Sequence, residues 1–359
     1  MWKKYLPFII PALLALIIRV FSGFPQAVEQ YYSQGLYPVL GGALRILFGW
    51  LPISLGDLLY LFAGLWLLRK LIILVKKLWK RQTGKAYWLR GLRQGILVVL
   101  WVYVLFNGLW GLNYNRVGLA RQLDLTIEEY RPEELKAVME VLVERLHDLD
   151  SSGRVNRTDM RRKRFLFRHA KTAYDSLAVQ WPAFSYSFRS VKPSLYSYLG
   201  NYLGFTGYYN PFSGEAQVNT TVPVFVQPFT TCHEIGHQLG YAKENEANFA
   251  GYLAARSSAD AAFRYSVYYD MYSYSWNYFY RFDSVQAKAF NAQLPAGVIR
   301  DHKEWREFLL RHRNPVEAVI DKLYGEYLRA NQQPSGKMTY SEVVAWLVAW
   351  YRKYGAEAI

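Results

Sequence analysis

The sequence predicts a mainly α-helical protein with a small β element, in which N-terminal transmembrane helices precede a helical globular domain. Three observations carry this reading. Long apolar segments are confined to residues 1–113, apolar residues recur at helical spacing over most of the remaining chain, and one extended stretch is rich in Val and Thr. A chain of 359 residues suffices for an anchor over 1–113 and one domain of ordinary size over 114–359.

The anchor is read in order. Met1 to Lys4 carries two lysines, and residues 5–18 are then almost wholly apolar up to Arg19. A secretory signal has the same layout, but no small-x-small cleavage site comes after it, so an uncleaved first span is expected. Residues 23–50 are interrupted by Tyr31, Tyr32, Tyr37, Arg45 and Trp50 and weakened by Gly41-Gly42, which predicts an interfacial segment. Residues 53–75 and 95–112 form the second and third spans. Between them, residues 69–93 hold nine Lys and Arg residues and no acidic one, a basic loop expected to stay in the cytoplasm. Three spans then place the N-terminus inside and everything after Asn113 outside.

The formal net charge of +15 could suggest nucleic acid as a partner. The densest basic run lies between two apolar segments, however, so the lipid bilayer is the expected partner and nucleic acid is excluded. A single cysteine, Cys232, permits no intramolecular disulfide and no Cys-based zinc site.

Beyond Asn113, Thr126 and Pro132 precede acidic residues and mark helix starts, and Val138, Val141, Leu142 and Leu146 recur at helical spacing. Residues 207–214 are a turn cluster, and residues 215–226 read as an extended segment able to offer an edge to a peptide. The last helix is expected to start at Thr339, where Thr339 and Glu342 fit a capping box.

Chemistry concentrates in Thr231-Cys232-His233-Glu234-Ile235-Gly236-His237-Gln238-Leu239-Gly240. Residues four apart share a helix face, so His233 and His237 can reach one tetrahedral zinc ion. Glu234 then projects toward the water on that metal, takes its proton as the water attacks a carbonyl, and passes it to the leaving amine. Gly240 supplies a helix stop. Catalytic zinc needs a third protein ligand, and the next helical stretch offers Glu244 or Glu246, which point in different directions. A metzincin would need histidine where Lys243 stands, which excludes that class.

Glu244, Ala247 and Asn248 resemble the Glu-x-x-Ala-Asp or Glu-x-x-Ala-Asn helix of gluzincin-type zinc peptidases. That resemblance implies Glu244 as the third metal ligand, with Glu246 as the alternative. It also implies Asn248 as a partner orienting a ligating histidine, and a zincin-like peptidase domain. Asn113-Tyr114-Asn115-Arg116, residues 210–216, residues 327–331 and Thr339-Tyr340 resemble the bacterial family of unknown function DUF3810. This implies N-terminal spans followed by a peptidase-like domain, in a bacterial inner membrane. The resulting expectation is a zinc-dependent metallopeptidase acting on peptide or protein substrates at the outer face of the membrane. The alternative is a membrane-anchored sensor or scaffold that binds zinc or peptide without turnover. An intact Glu234 speaks against that, because binding alone does not need it.

The remaining candidates have structural readings. Cys232 is expected to face the core, and His147, His169, His302 and His312 to be solvated. Glu215 stays open between a substrate amine and a turn. Tyr324 and Tyr340 could donate to an oxyanion, but in a chain with 30 tyrosines packing is the expectation.

Overall fold

Apolar length turns into helix in the N-terminal part. The computed structural model describes residues 6–155 and 157–359, and the chain divides into two units, Met1–Val117 with Asn210–Glu215, and Gly118–Tyr209 with Ala216–Ile359.

In the first unit, α1 (Leu6–Phe21) breaks at Ser22-Gly23, and a second helical stretch, Pro25–Phe48, leaves at a bend of 103°. Pro25 lacks the amide hydrogen that would continue the ladder, and it holds Phe24 out of the helical region (φ −119°). Val28–Leu36 winds as a π-helix and passes into α2 (Tyr37–Phe48). Residues 23–50, expected as an interfacial segment, are thus mostly helical.

Helices α3 (Leu55–Trp79) and α4 (Lys85–Leu109) are 25 residues each. About 20 apolar residues cross a bilayer. These two are therefore long and apolar enough to do so, and the bent pair would make three if it counts as one span. Neither apolar window is buried within the protein, so lipid is the medium that would cover Phe62, Leu65 and Leu68. The expected basic loop over 69–93 is corrected: only residues 80–84 connect the helices, and most of the basic side chains stand on helix ends. Their alkyl stems can lie along apolar surface with the charge at its edge.

Polar groups fix this unit internally. Arg116 pairs with Glu29 at 2.6 Å, and the Tyr32 hydroxyl donates to the Asn107 and Gly108 carbonyls. Ser54 caps α3 by accepting from the Asp57 N–H at 3.0 Å. The Glu215 carboxylate accepts from the Gly56 N–H at 2.7 Å and the Leu55 N–H at 3.2 Å, and from the Ser54 and Ser213 hydroxyls. Its charge meets the exposed donors of a helix start, which settles Glu215 as a structural group.

The second unit is built on α5 (Pro132–Leu149), α6 (Lys163–Gln180), α7 (Gln227–Gln238), α8 (Glu244–Arg256), α9 (Ala261–Phe282), α10 (Ala296–His312), α11 (Glu317–Ala330) and α12 (Val343–Tyr354). Pro132 opens α5 as expected, and Glu134 accepts from the Arg131 N–H at 2.9 Å. Helices α7 and α8 lie in the interior: every residue of α7 is buried. Helices α6 and α9 pack on both, and α12 covers α8 through Trp346 and Trp350 against Phe249. The last α-helix begins at Val343, because residues Gly336–Glu342 form a 3-10 turn with Thr339 buried inside it.

Three short strands form one sheet in the order β1 (Val191–Pro193), β3 (Glu215–Val218), β2 (Gly207–Asn210). Strand β1 runs parallel to β3 with Val191 opposite Ala216. The extended segment expected as an edge is therefore the middle strand, and it stops at Val218. Beyond it, the Asn219 side chain accepts from the Thr221 N–H at 3.0 Å, a local turn that replaces the ladder.

Candidate metal centre

Helix α7 opens with Pro228 at its start and ends where Gly240, at φ +87°, reverses the chain. Only glycine takes that conformation at little cost, and Lys243 then enters α8 extended. This reversal lays the start of α8 beside the middle of α7. Two glycines permit the approach. A Cβ on Gly251 would lie 2.9 Å from the His233 nitrogen, and one on Gly236 would lie 3.2 Å from the Ala247 carbonyl oxygen.

Three side-chain atoms converge at this contact. Glu244 Oε2 is 3.3 Å from His233 Nε2 and 3.4 Å from His237 Nε2, and the two imidazole rings stand edge to face at 4.7 Å. His237 Nδ1 meets the Tyr241 carbonyl at 2.8 Å. That contact suits a proton on Nδ1 and leaves Nε2 facing Glu244. The second oxygen, Glu244 Oε1, accepts from the Tyr324 hydroxyl at 2.9 Å, and Tyr324 in turn is 2.9 Å from the Tyr340 hydroxyl. The Tyr340 ring stacks beside His233, and the Glu244 N–H donates to Gln333 Oε1 at 2.9 Å. The carboxylate is thus held at one oxygen while the other faces both imidazoles.

Glu234 sits on the same helix, 3 % exposed, with Oε2 buried and unpartnered. The backbone of β2 comes so near that a Cβ on Gly207 would lie 2.5 Å from Glu234 Oε1. Burial pushes the Glu234 carboxyl up to about 8, with Glu244 adding in the same direction and His237 opposing. Burial presses the His237 imidazole down, but the Glu244 and Glu234 carboxylates outweigh it and hold the ring at about 9. His233 is lowered by burial, with Glu244 and Asn248 only partly offsetting it. Burial would raise Glu244, yet the two imidazoles keep it well below the usual carboxylate range.

These residues fit a divalent metal such as zinc. Glu244 Oε2 and Glu234 Oε2 are buried without a hydrogen-bond donor, and two nitrogens and one oxygen converge, a donor set that zinc accepts. Ligand atoms of His233, Glu234 and His237 also lie within 4.8 Å of one another, so Glu234 adjoins the same point.

The two glutamates left open by spacing separate here. Glu244, at the first turn of α8, faces the histidines, whereas Glu246 Oε1 accepts from the Leu119 N–H at 3.3 Å beside Gly118. Asn248 reaches the site but gives its amide to the Tyr340 carbonyl at 2.9 Å, so it also fixes the segment carrying Tyr340. Tyr324 and Tyr340, expected to serve packing, instead reach the site, and Gln333 is a site residue that no local pattern announces. Replacing Glu244 with Gln is expected to reduce bound metal in the purified chain to well under half, whereas Glu246→Gln retains it. Metal analysis after dialysis checks the pair, and equal retention by both would remove Glu244 from the ligand set.

The centre opens into a cavity of about 1030 Å³ whose wall includes His233, Glu234, Phe205, Gly207, Tyr324 and Tyr340. That is at the upper end of ordinary ligand pockets, roughly 300–1,000 Å³. His302, expected to be solvated, instead lines this cavity, its Nδ1 3.1 Å from the Tyr269 hydroxyl.

Residues 32–348 match the family model described as protein of unknown function, DUF3810. No curated protein and no solved structure matches the chain.

Proposed function

The chain belongs to the DUF3810 family, and from its centre we propose that it is a membrane-anchored zinc metallopeptidase of gluzincin type. One observation carries this reading: His233 Nε2, His237 Nε2 and Glu244 Oε2 face one point, with Glu234 adjoining it in the wall of a large cavity. Zinc, when bound, would supply a Lewis acid for a carbonyl oxygen and lower the pKa of its water. His233, His237 and Glu244 are the residues that would hold it.

The other steps belong to the chain. Burial and the Glu244 charge raise the Glu234 carboxyl while His237 opposes them; a bound cation would favour its charged form and leave an oxygen able to accept a proton at neutral pH. It takes the proton of the attacking water at a carboxylate oxygen and returns it to the leaving amine. Tyr324 holds Glu244 through Oε1 and so keeps Oε2 for the metal. The cavity has room for a peptide, and Gly207 leaves the strand backbone close to Glu234. In this reading helices α3 and α4, long and apolar enough to cross a bilayer, are the anchor, and the domain stands on the outer face of a bacterial inner membrane.

The test is direct. The full chain, purified in detergent and loaded with zinc, is incubated with a mixed peptide library. Cleavage should appear, stop with a zinc chelator and return with added zinc. A metal-loaded chain that cleaves nothing in a broad library would leave a binding protein in place of an enzyme.

A further inference from the structure

Helix α9 sends Asp270, Ser273, Tyr274 and Asn277 to the cavity that holds His233 and Glu234, the spacing of one helix face. Asp270 is the one of these that a stable wall does not explain. Its Oδ2 is shut from solvent and meets no hydrogen-bond donor. Burial pushes its carboxyl up to about 8. Two cations share the wall, Lys337, which is paired with Asp321 at 2.6 Å, and Arg306.

A carboxylate with one oxygen buried and unpaired weakens the fold, and asparagine of the same shape would carry less of that cost. Its place in a cavity wall points to a ligand that brings a compensating charge. The surroundings suit an organic cation. Tyr269 and Tyr274 adjoin Asp270 closely enough to feel its charge, and Trp276 and Tyr272 continue the wall with further aromatic faces. Aromatic faces around a carboxylate attract an ammonium or guanidinium group while shielding it from water.

We propose that Asp270 is a specificity-determining residue that binds a positively charged group of the substrate, an ammonium or guanidinium, in the cavity beside the metal centre. The group has two sources in a peptide, a Lys or Arg side chain or the free N-terminus. For the statement that the substrate is a peptide, the inference rests on the peptidase reading above.

Two measurements on the full chain in detergent test it. In the first, zinc-loaded wild type and Asp270→Asn are given matched peptides carrying Lys, Arg, norleucine or citrulline at one position, each with a free or an acetylated N-terminus. Wild type should favour the cationic peptides in kcat/KM by about 10- to 100-fold, as a charged hydrogen bond allows, and Asp270→Asn should bring that ratio toward one. A preference that survives acetylation assigns the group to the side chain, and one lost on acetylation assigns it to the N-terminus. In the second, binding of the same peptides is measured by fluorescence anisotropy on Glu234→Gln, with and without Asp270→Asn. This keeps the two readings apart: preferential binding of cationic peptides without cleavage by wild type would sink the peptidase and keep the Asp270 assignment. Equal binding of charged and neutral peptides, or an Asp270→Asn variant that weakens both alike, would overturn the assignment. Asp270→Glu, which keeps the charge, should retain part of the preference, as a merely structural role for the side chain would not predict.

Discussion

Glu234→Gln is expected to lower peptide cleavage by about 10²- to 10⁴-fold, the usual contribution of a positioned acid–base group, while bound zinc stays at the wild-type level. The two halves of the prediction come from different atoms. The proposed metal donors are the Nε2 atoms of His233 and His237 and Oε2 of Glu244, whose mutual distances do not involve Glu234. Glutamine has the same shape and leaves α7 packed, including the near contact with Gly207. What it lacks is an oxygen that can take a proton. Removing a buried ionisable group should also leave Tm unchanged or slightly raised, since the Glu234 carboxyl is disfavoured by its burial. Metal analysis, a cleavage assay and a thermal melt on one preparation check all three. Full activity with zinc in place would discard Glu234 as the base, and loss of zinc would make it a ligand.

The histidine pair is legible in the sequence because a helix repeats every 3.6 residues, and nothing distant is needed to put His233 over His237. The helix stop at Gly240 is legible for the same reason, being local backbone chemistry. The choice between Glu244 and Glu246 is not. Spacing says only that they point apart, and the decision lies in how the Gly240 reversal sets the register of α8 and in the Leu119 N–H that engages Glu246. Tyr324 and Gln333 lie some 80 and 89 residues beyond the groups they hold, so no local window contains both partners. The extended character of residues 215–218 is visible, but not that β3 takes the middle of the sheet, because pairing partners are set by the chain around it. Charge misleads at residues 69–93. A cluster without acidic residues reads as loop, yet α3 and α4 continue through it, since lysine and arginine are good helix formers.

The second large effect concerns two helices and one missing methyl group. A Cβ on Gly251 would meet the His233 nitrogen at 2.9 Å, the His233 Cα at 3.0 Å and the Cys232 carbonyl carbon at 3.2 Å. All three are backbone atoms of α7, which cannot rotate aside as a side-chain end could. Relief has to come from moving α8 away from α7, and Glu244 travels with α8 while both histidines stay on α7. Gly251→Val should therefore damage the fold and the centre together. Overpacking costs about 1–3 kcal/mol, against which the gain in helix propensity over glycine is below about 1 kcal/mol. In a domain of this size that lowers Tm by several degrees. Displacing one ligand by a fraction of an ångström should also weaken zinc binding at least about tenfold, in the range that loss of ligand support produces. Gly236→Ala faces the Ala247 carbonyl oxygen at 3.2 Å and should show the same signs at smaller size. Melts and zinc titrations of the two variants beside wild type rank them. A Gly251→Val chain with wild-type Tm and wild-type zinc affinity would mean that α7 and α8 do not touch at their backbones, and Glu244 would then lack the placement on which the metal centre depends.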